Sequence, residues 1–181
     1  VLGPLLFLLY INDISRSSDL GTFILFADDT NIFVIGNTPS EAYEKANQLL
    51  KSVQKYMYLN KLHINMSKCC YIHFKPKHTN IQQNDHDDSS HQLLLDDFPI
   101  KKVCRTKFLG VIIDDQLSWE PHITALRRKL NYASATLYRI RDSLPTCLHK
   151  DLYHTLFESH LVYCISVWGG SSPNKISRLW I

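Results

Sequence analysis

Apolar positions along this chain fall into blocks whose spacing changes from one to the next. Pro4 and the helix-forming residues through Ile11, closing on polar Asn12, Asp13 and Ser15, predict a short buried helix. TFILF (22–26) and NIFVI (31–35) are β-branched and aromatic runs separated by Ala27, Asp28, Asp29 and Thr30, which predicts a hairpin. Both strands are apolar on both faces, so their link is expected at the tip of a buried sheet. Thr38, Pro39 and Glu41 have the capping-box arrangement. Behind them Ala42, Ala46, Leu49, Val53 and Tyr56 or Met57 recur at three- and four-residue steps, the pattern of a helix of about four or five turns. Residues 62–66 and 70–74 predict two more strands around Ser67 and Lys68, closing an α+β unit.

Residues 76–91 (PKHTNIQQNDHDDSSH) have almost no apolar content and are expected to form an exposed loop. A strand is expected over KFLGVII (107–113). The period then turns helical: Ile123, Leu126, Leu130, Ala133, Leu137 and Ile140 share one face, and Leu148, Leu152, Leu156 and Tyr163 continue after Pro145. Two packed helices follow from that pattern. No internal repeat or low-complexity tract interrupts it.

Composition agrees with a folded chain: 45% hydrophobic, 20% charged and 11% aromatic over 181 residues. The apolar run 5–11 is too short for a membrane span and has no basic leader. It stands at the very start of a chain that begins with Val1, so the sequence is expected to be a fragment. The five cysteines, Cys69, Cys70, Cys104, Cys147 and Cys164, have no paired C-x-x-C spacing, which fits reduced thiols in an intracellular protein. With His149, His154 and His160 they match no zinc-finger pattern. Charge is uneven: residues 1–100 hold 8 Lys and Arg against 11 Asp and Glu, whereas residues 101–141 hold 9 against 3. That local excess of 9 − 3 = 6 positive charges is either a polyanion footprint or a solvated helix face.

Four adjacent aspartate pairs occur: 28 and 29, 87 and 88, 96 and 97, and 114 and 115. The second lies in the polar run, and the third beside Pro99, where a solvated turn explains it. Only Asp28 and Asp29 are gripped on both sides by strands. Two carboxylates about 4 Å apart repel by about 1 kcal/mol in water and about 4 kcal/mol at an effective dielectric near 20, so a half-buried pair calls for a cation. A tight hairpin prefers Asn-Gly or Asp-Gly, and no glycine is available here for positive φ.

The blocks LGPLLFLLYINDI, FADDTNIF, NKLHINMSKCCYIHF and KFLGVIIDDQLSWEPHI, in that order, resemble the reverse transcriptase of non-LTR retrotransposons, the LINE-like, jockey-type group. The resemblance covers residues 1 to about 168. It implies an α+β fold: part of a right-hand polymerase palm, an antiparallel sheet with packed helices, over residues 1–118, then an α-helical thumb over 119–168. Residues 169–181 are left as a tail of uncertain origin, since NKISRLWI departs from the expected continuation.

For function, the resemblance implies an RNA-directed DNA polymerase that extends a DNA primer on an RNA template from deoxynucleoside triphosphates. Asp28 and Asp29 would hold Mg²⁺ and Lys68 would protonate the leaving pyrophosphate. Gly3 and Pro4 would lie against template and nucleotide, and Phe108, Leu109 and Gly110 would form the hairpin that grips the primer. Arg127 and Arg128, beside Lys129, would meet backbone phosphates, although three consecutive helical positions span about 200° and cannot all face one duplex. Taken without the resemblance, Lys68 is an exposed turn lysine and the FLG segment a core strand with a bulge. Trp119, Trp168 and Trp180 are expected as core anchors rather than base-stacking platforms. The second ion needs an aspartate from an upstream strand, and the fingers are missing too, so the chain alone is expected to be inactive, with its upstream fingers and palm in the same polyprotein. No membrane partner is expected, and the location is expected to be the nucleus or cytoplasm. The alternative is a non-catalytic nucleic-acid-binding or interaction remnant of a retrotransposon.

Overall fold

The helix expected after Pro4 is present as α1 (Leu2–Ile11), but it is not buried. Consecutive apolar residues cover its whole circumference, while the described residues give it a partner only at the C-terminal end. Ile11 is enclosed, and Leu2, Leu5, Leu6, Leu8 and Leu9 are exposed. The computed structural model describes residues 2–74 and 92–179, so the polar run 76–91 and Trp180 lie outside the described residues. Packing gathers the described residues into two units, 2–71 with 92–102 and 72–74 with 103–179.

In the first unit, β1 (Thr22–Phe26) and β2 (Asp29–Phe33) form an antiparallel hairpin with Thr22 opposite Phe33 and Phe26 opposite Asp29. The sheet is not buried on both faces as expected. Phe23, Leu25 and Ile32 pack against Ile11, Ile14, Leu49 and Val53, whereas Ile24, Phe26 and Phe33 remain exposed. Strand alternation explains this: only one face of a two-stranded sheet meets the helix behind it. That helix is α2 (Pro39–Leu59), at 21 residues longer than its apolar stripe predicts. Thr38 Oγ1 accepts from the Glu41 amide at 3.2 Å, and the Glu41 carboxylate accepts from the Asn37 amide at 2.8 Å, one residue before its usual capping-box partner.

Of the two strands expected at 62–66 and 70–74, only β3 (Cys70–Tyr71) forms. Asn65 draws its segment into a turn instead, its side chain accepting from the Ser67 amide at 3.1 Å. A short hairpin follows, β4 (Leu94–Leu95) with β5 (Phe98–Pro99), then β6 (Lys101–Lys102), which pairs parallel with β3. Asp96 and Asp97 form the hairpin's two-residue turn, both at positive φ, so this pair is the turn the sequence suggests. The Asn47 side chain bonds both Gln92 O and the Leu94 amide at 3.0 Å, docking the segment on α2.

In the second unit KFLGVII is not the one strand its composition predicts but a hairpin at FLG, as the resemblance implies. It folds back as β7 (Arg105–Phe108) and β8 (Val111–Asp114) around Leu109 and Gly110. The long helix α3 (Glu120–Ile140) buries His122, Ile123, Leu126, Leu130 and Ala133. After Pro145, α4 (Thr146–Tyr153) runs through a π-helical turn (His154–Glu158) into α5 (Ser159–Val162), and α6 (Ile165–Trp168) and α7 (Pro173–Ile176) complete the unit. Its core is Ile123, Leu126, Leu130, Trp168 and Leu179, with Trp119 packed against it. Two of the three tryptophans are thus core anchors. Residues beyond 168 are part of the same packing: the Lys175 ammonium donates to Ser118 O at 2.6 Å, and Arg178 pairs with Glu120.

Candidate functional site

The β1–β2 link is tighter than the sequence suggests. Ala27 and Asp28 are the only turn residues, and Asp29 is already in β2, opposite Phe26. Ala27 takes the positive φ of 52° that a two-residue hairpin requires at its first turn position, although it is not glycine. For an L-residue this conformation costs about 1–2 kcal/mol, so the short link is a strained one. Its effect is to set two consecutive carboxylates at the projecting end of the sheet. Both are exposed, and among the described residues no hydrogen bond or ion pair engages either.

Such a pair suits a hard cation. Mg²⁺ is held by one or two carboxylates, with waters and substrate phosphates filling its remaining positions. Free, exposed oxygens at a fixed tip meet that requirement. Among the described residues no group of three or more His, Cys, Asp or Glu side chains gathers to hold a metal by itself.

The other residues singled out by sequence lie on separate elements. Gly3 and Pro4 occupy the exposed first turn of α1, with open space where a Gly3 side chain would stand. Lys68 closes the Asn65 turn, exposed, its amide donating to Asn65 O at 3.0 Å. Phe108, Leu109 and Gly110 belong to the β7–β8 turn, where Leu109 has φ 44° and Gly110 φ 86°. Arg127, Arg128 and Lys129 are exposed along α3, and they part company there. Arg128 and Lys129 line a groove of about 430 Å³ with Tyr132, Thr136, Leu156 and His160. Lys129 and His160 also line an adjoining hollow of about 260 Å³ with Lys107, Gly110 and His122. Arg127 lines neither. Nothing in the sequence groups Lys107 with His160, since only the fold brings a strand residue and a residue of α5 to the same hollow.

Asp114 has a different role from Asp28. Its carboxylate accepts from the Ser118 amide at 2.9 and 3.1 Å and from the Trp119 amide at 3.1 Å, holding the chain as it enters α3. Burial alone would raise its pKa, but these hydrogen bonds outweigh it and the group sits below the ordinary carboxylate value. His122 is enclosed beneath the same hairpin, its Nδ1 accepting from the Ile112 amide at 3.3 Å and its ring 5.7 Å from that of Trp168. Burial, aided by Lys129, lowers its pKa, so the neutral ring with Nδ1 unprotonated is the form that fits this hydrogen bond.

With that geometry established, residues 1–113 match the family model described as "Reverse transcriptase (RNA-dependent DNA polymerase)". The chain belongs to the reverse transcriptase family. It is also 24% identical over 186 residues to "Probable RNA-directed DNA polymerase from transposon X-element" of Drosophila melanogaster, an alignment covering 99% of this chain and 20% of that protein. The chain therefore spans about a fifth of that relative's length. No solved structure matches it. As a reverse transcriptase domain the chain has a polymerase palm-like fold, here of helices and small sheets, in a family that works on a nucleic-acid template with nucleotide substrates and a divalent metal. The X-element relative bears out the resemblance to non-LTR elements, and its alignment extends through nearly all of the 169–181 segment. No helix among the described residues is long and apolar enough to cross a membrane.

Proposed function

We propose that this chain is the carboxylate-bearing portion of an RNA-directed DNA polymerase of a non-LTR element, which extends a DNA primer on an RNA template. The observation that carries this reading is the two-residue turn that sets Asp28 and Asp29, free and exposed, at the end of β1–β2, inside the segment that matches the family. Asp28 serves as the direct ligand of Mg²⁺ and Asp29 adds to the local negative field. Bound there, the ion lends positive charge to the attacking 3′ oxygen and the leaving phosphate oxygens. The second ion calls for a carboxylate from outside the described residues, supplied by the upstream palm of the same polyprotein.

Lys68 acts as the proton donor to pyrophosphate, and its exposure leaves it free to meet a phosphate. Gly3 and Pro4 lie toward template and nucleotide, the β7–β8 turn approaches the primer, and Arg128 reaches a backbone phosphate, with Arg127 a weaker contributor. Residues 1–118 act as palm and 119–168 as thumb. The work takes place in the nucleus or cytoplasm.

The test joins this chain to an upstream segment carrying fingers and the third carboxylate and measures single-nucleotide incorporation. Asp28→Asn keeps the shape and removes the charge, so turnover should fall on the order of 100-fold or more with template affinity nearly unchanged. Retention of most turnover by this variant removes Asp28 from the site. If the joined protein binds nucleic acid but no Mg²⁺ concentration supports incorporation, the non-catalytic remnant becomes the better description.

A further inference from the structure

The β7–β8 turn is held from outside its own strands. Leu109 and Gly110 both take positive φ, a conformation for which Asn-Gly is preferred and which a bulky residue such as Leu109 adopts only under constraint. A two-stranded ribbon of four-residue strands is marginal by itself and would not fix the direction of such a turn. The constraint comes from the far end of the helical segment. Tyr163 lies 54 residues beyond Leu109, and its hydroxyl donates to the Leu109 carbonyl at 2.7 Å. Its ring occupies the space beside Gly110, where an added Cβ would come within 3.2 Å of it.

Tyr163 is itself anchored. Its carbonyl accepts from Trp168 Nε1 at 2.9 Å, and Trp168 is 1% exposed at the centre of the unit. Cys164, at φ 52°, turns the chain sharply between the two. The same indole faces His122, which accepts from Ile112 in the second strand of the hairpin. Turn and strand are therefore both tied to one buried ring. The neighbouring Cys164 raises the Tyr163 pKa.

We propose that Tyr163 is a positioning residue that aims the Leu109–Gly110 turn, with Lys107 beside it, at the phosphate backbone of a primer–template duplex. This rests on the reading of the β7–β8 turn as a primer contact. Tyr163 need not touch the nucleic acid; it acts through Leu109.

The experiment uses the full 181-residue chain and a DNA primer annealed to an RNA template. It compares Tyr163→Phe, Leu109→Glu and Leu179→Ala by duplex affinity, melting temperature and amide hydrogen exchange at Gly110 and Val111. Tyr163→Phe keeps the ring and loses the hydrogen bond; exchange at the turn should rise and affinity should fall by about fivefold, the scale of one hydrogen bond, with little change in melting. Leu179→Ala loosens the core around Trp168 but keeps the Tyr163 hydroxyl and its hydrogen bond to Leu109, so it should lower the melting temperature more and leave affinity within about twofold. Loss of affinity in Tyr163→Phe and Leu179→Ala in proportion to their loss of stability makes Tyr163 merely structural and overturns the proposal. So does Tyr163→Phe binding as the original does while Leu109→Glu weakens binding. If Leu109→Glu, which sets a negative charge at the tip, leaves affinity unchanged, the primer-contact reading has failed and the proposal falls with it.

Discussion

Two aspartates that look alike in sequence separate cleanly once their partners are known. Asp28 ends free in a turn, and Asp114 spends its oxygens on the backbone entering α3. Their Asn variants should therefore show opposite signatures. Asp114→Asn should lower unfolding stability by about 1–3 kcal/mol in a denaturant titration while the joined polymerase keeps its turnover; Asp28→Asn should do the reverse, and Asp29→Asn should cost turnover more mildly. Ala27 offers a second residue-scale test. Glycine there removes the Cβ that φ 52° disfavours, so Ala27→Gly should stabilise the first unit by about 1 kcal/mol, read from its denaturant midpoint. His122 gives a pH dependence. Its folded pKa lies below the ordinary 6.5, so its contribution is complete above that value and is lost as pH falls through the lower folded value. Melting temperature should decline on acidification below pH 6.5, and His122→Asn, whose side-chain oxygen accepts from Ile112 without titrating, should flatten that decline. Asp114 acts in the same direction further down, below its ordinary 3.8.

At the scale of elements, what the sequence revealed is what local chemistry determines. The Thr38 cap, the apolar stripe of α3 and the helix after Pro145 all emerged because each is set by residues three or four apart. The misreadings were of two kinds. Residues 62–66 have strand composition, yet the Asn65 side chain offered the backbone a turn, and a run of β-branched residues could not signal that competition. KFLGVII looks like one strand because Leu109 adopts a conformation its type rarely takes, and what holds it there comes from Tyr163, far along the chain. The candidate site divides the same way: the aspartate pair stood out in the sequence, while the joining of Lys107, Lys129 and His160 in one hollow required the fold. The segment after residue 168 looked like a tail, but Leu179 lies in the core of the second unit. Leu179→Ala should cost about 2–4 kcal/mol by thermal unfolding, where a tail residue would cost almost nothing.

For the molecule as a whole, the positive charge of residues 101–141 predicts weak affinity for a primer–template duplex that falls steadily with added salt and ignores base sequence. The double variant Arg127→Ala, Arg128→Ala should flatten the slope of log affinity against log salt, with Arg128→Ala alone giving most of the change because only that residue lines the groove. The chain by itself should incorporate no nucleotide above an Asp28→Asn control, since two carboxylates make half of a two-ion site. The way each core draws on distant parts of the chain also bears on how the protein is made. Ile11 and Ile14 meet Phe23, Leu25 and Ile32 of the hairpin early, but Leu49 and Val53 come some forty residues later, and Leu126 and Leu130 wait for Trp168 and Leu179. At about 5–20 residues per second of synthesis, Ile11 and Ile14 wait several seconds for the part of their cover that α2 supplies. A pause in synthesis between residues 15 and 49 would lengthen the time these two side chains spend half covered.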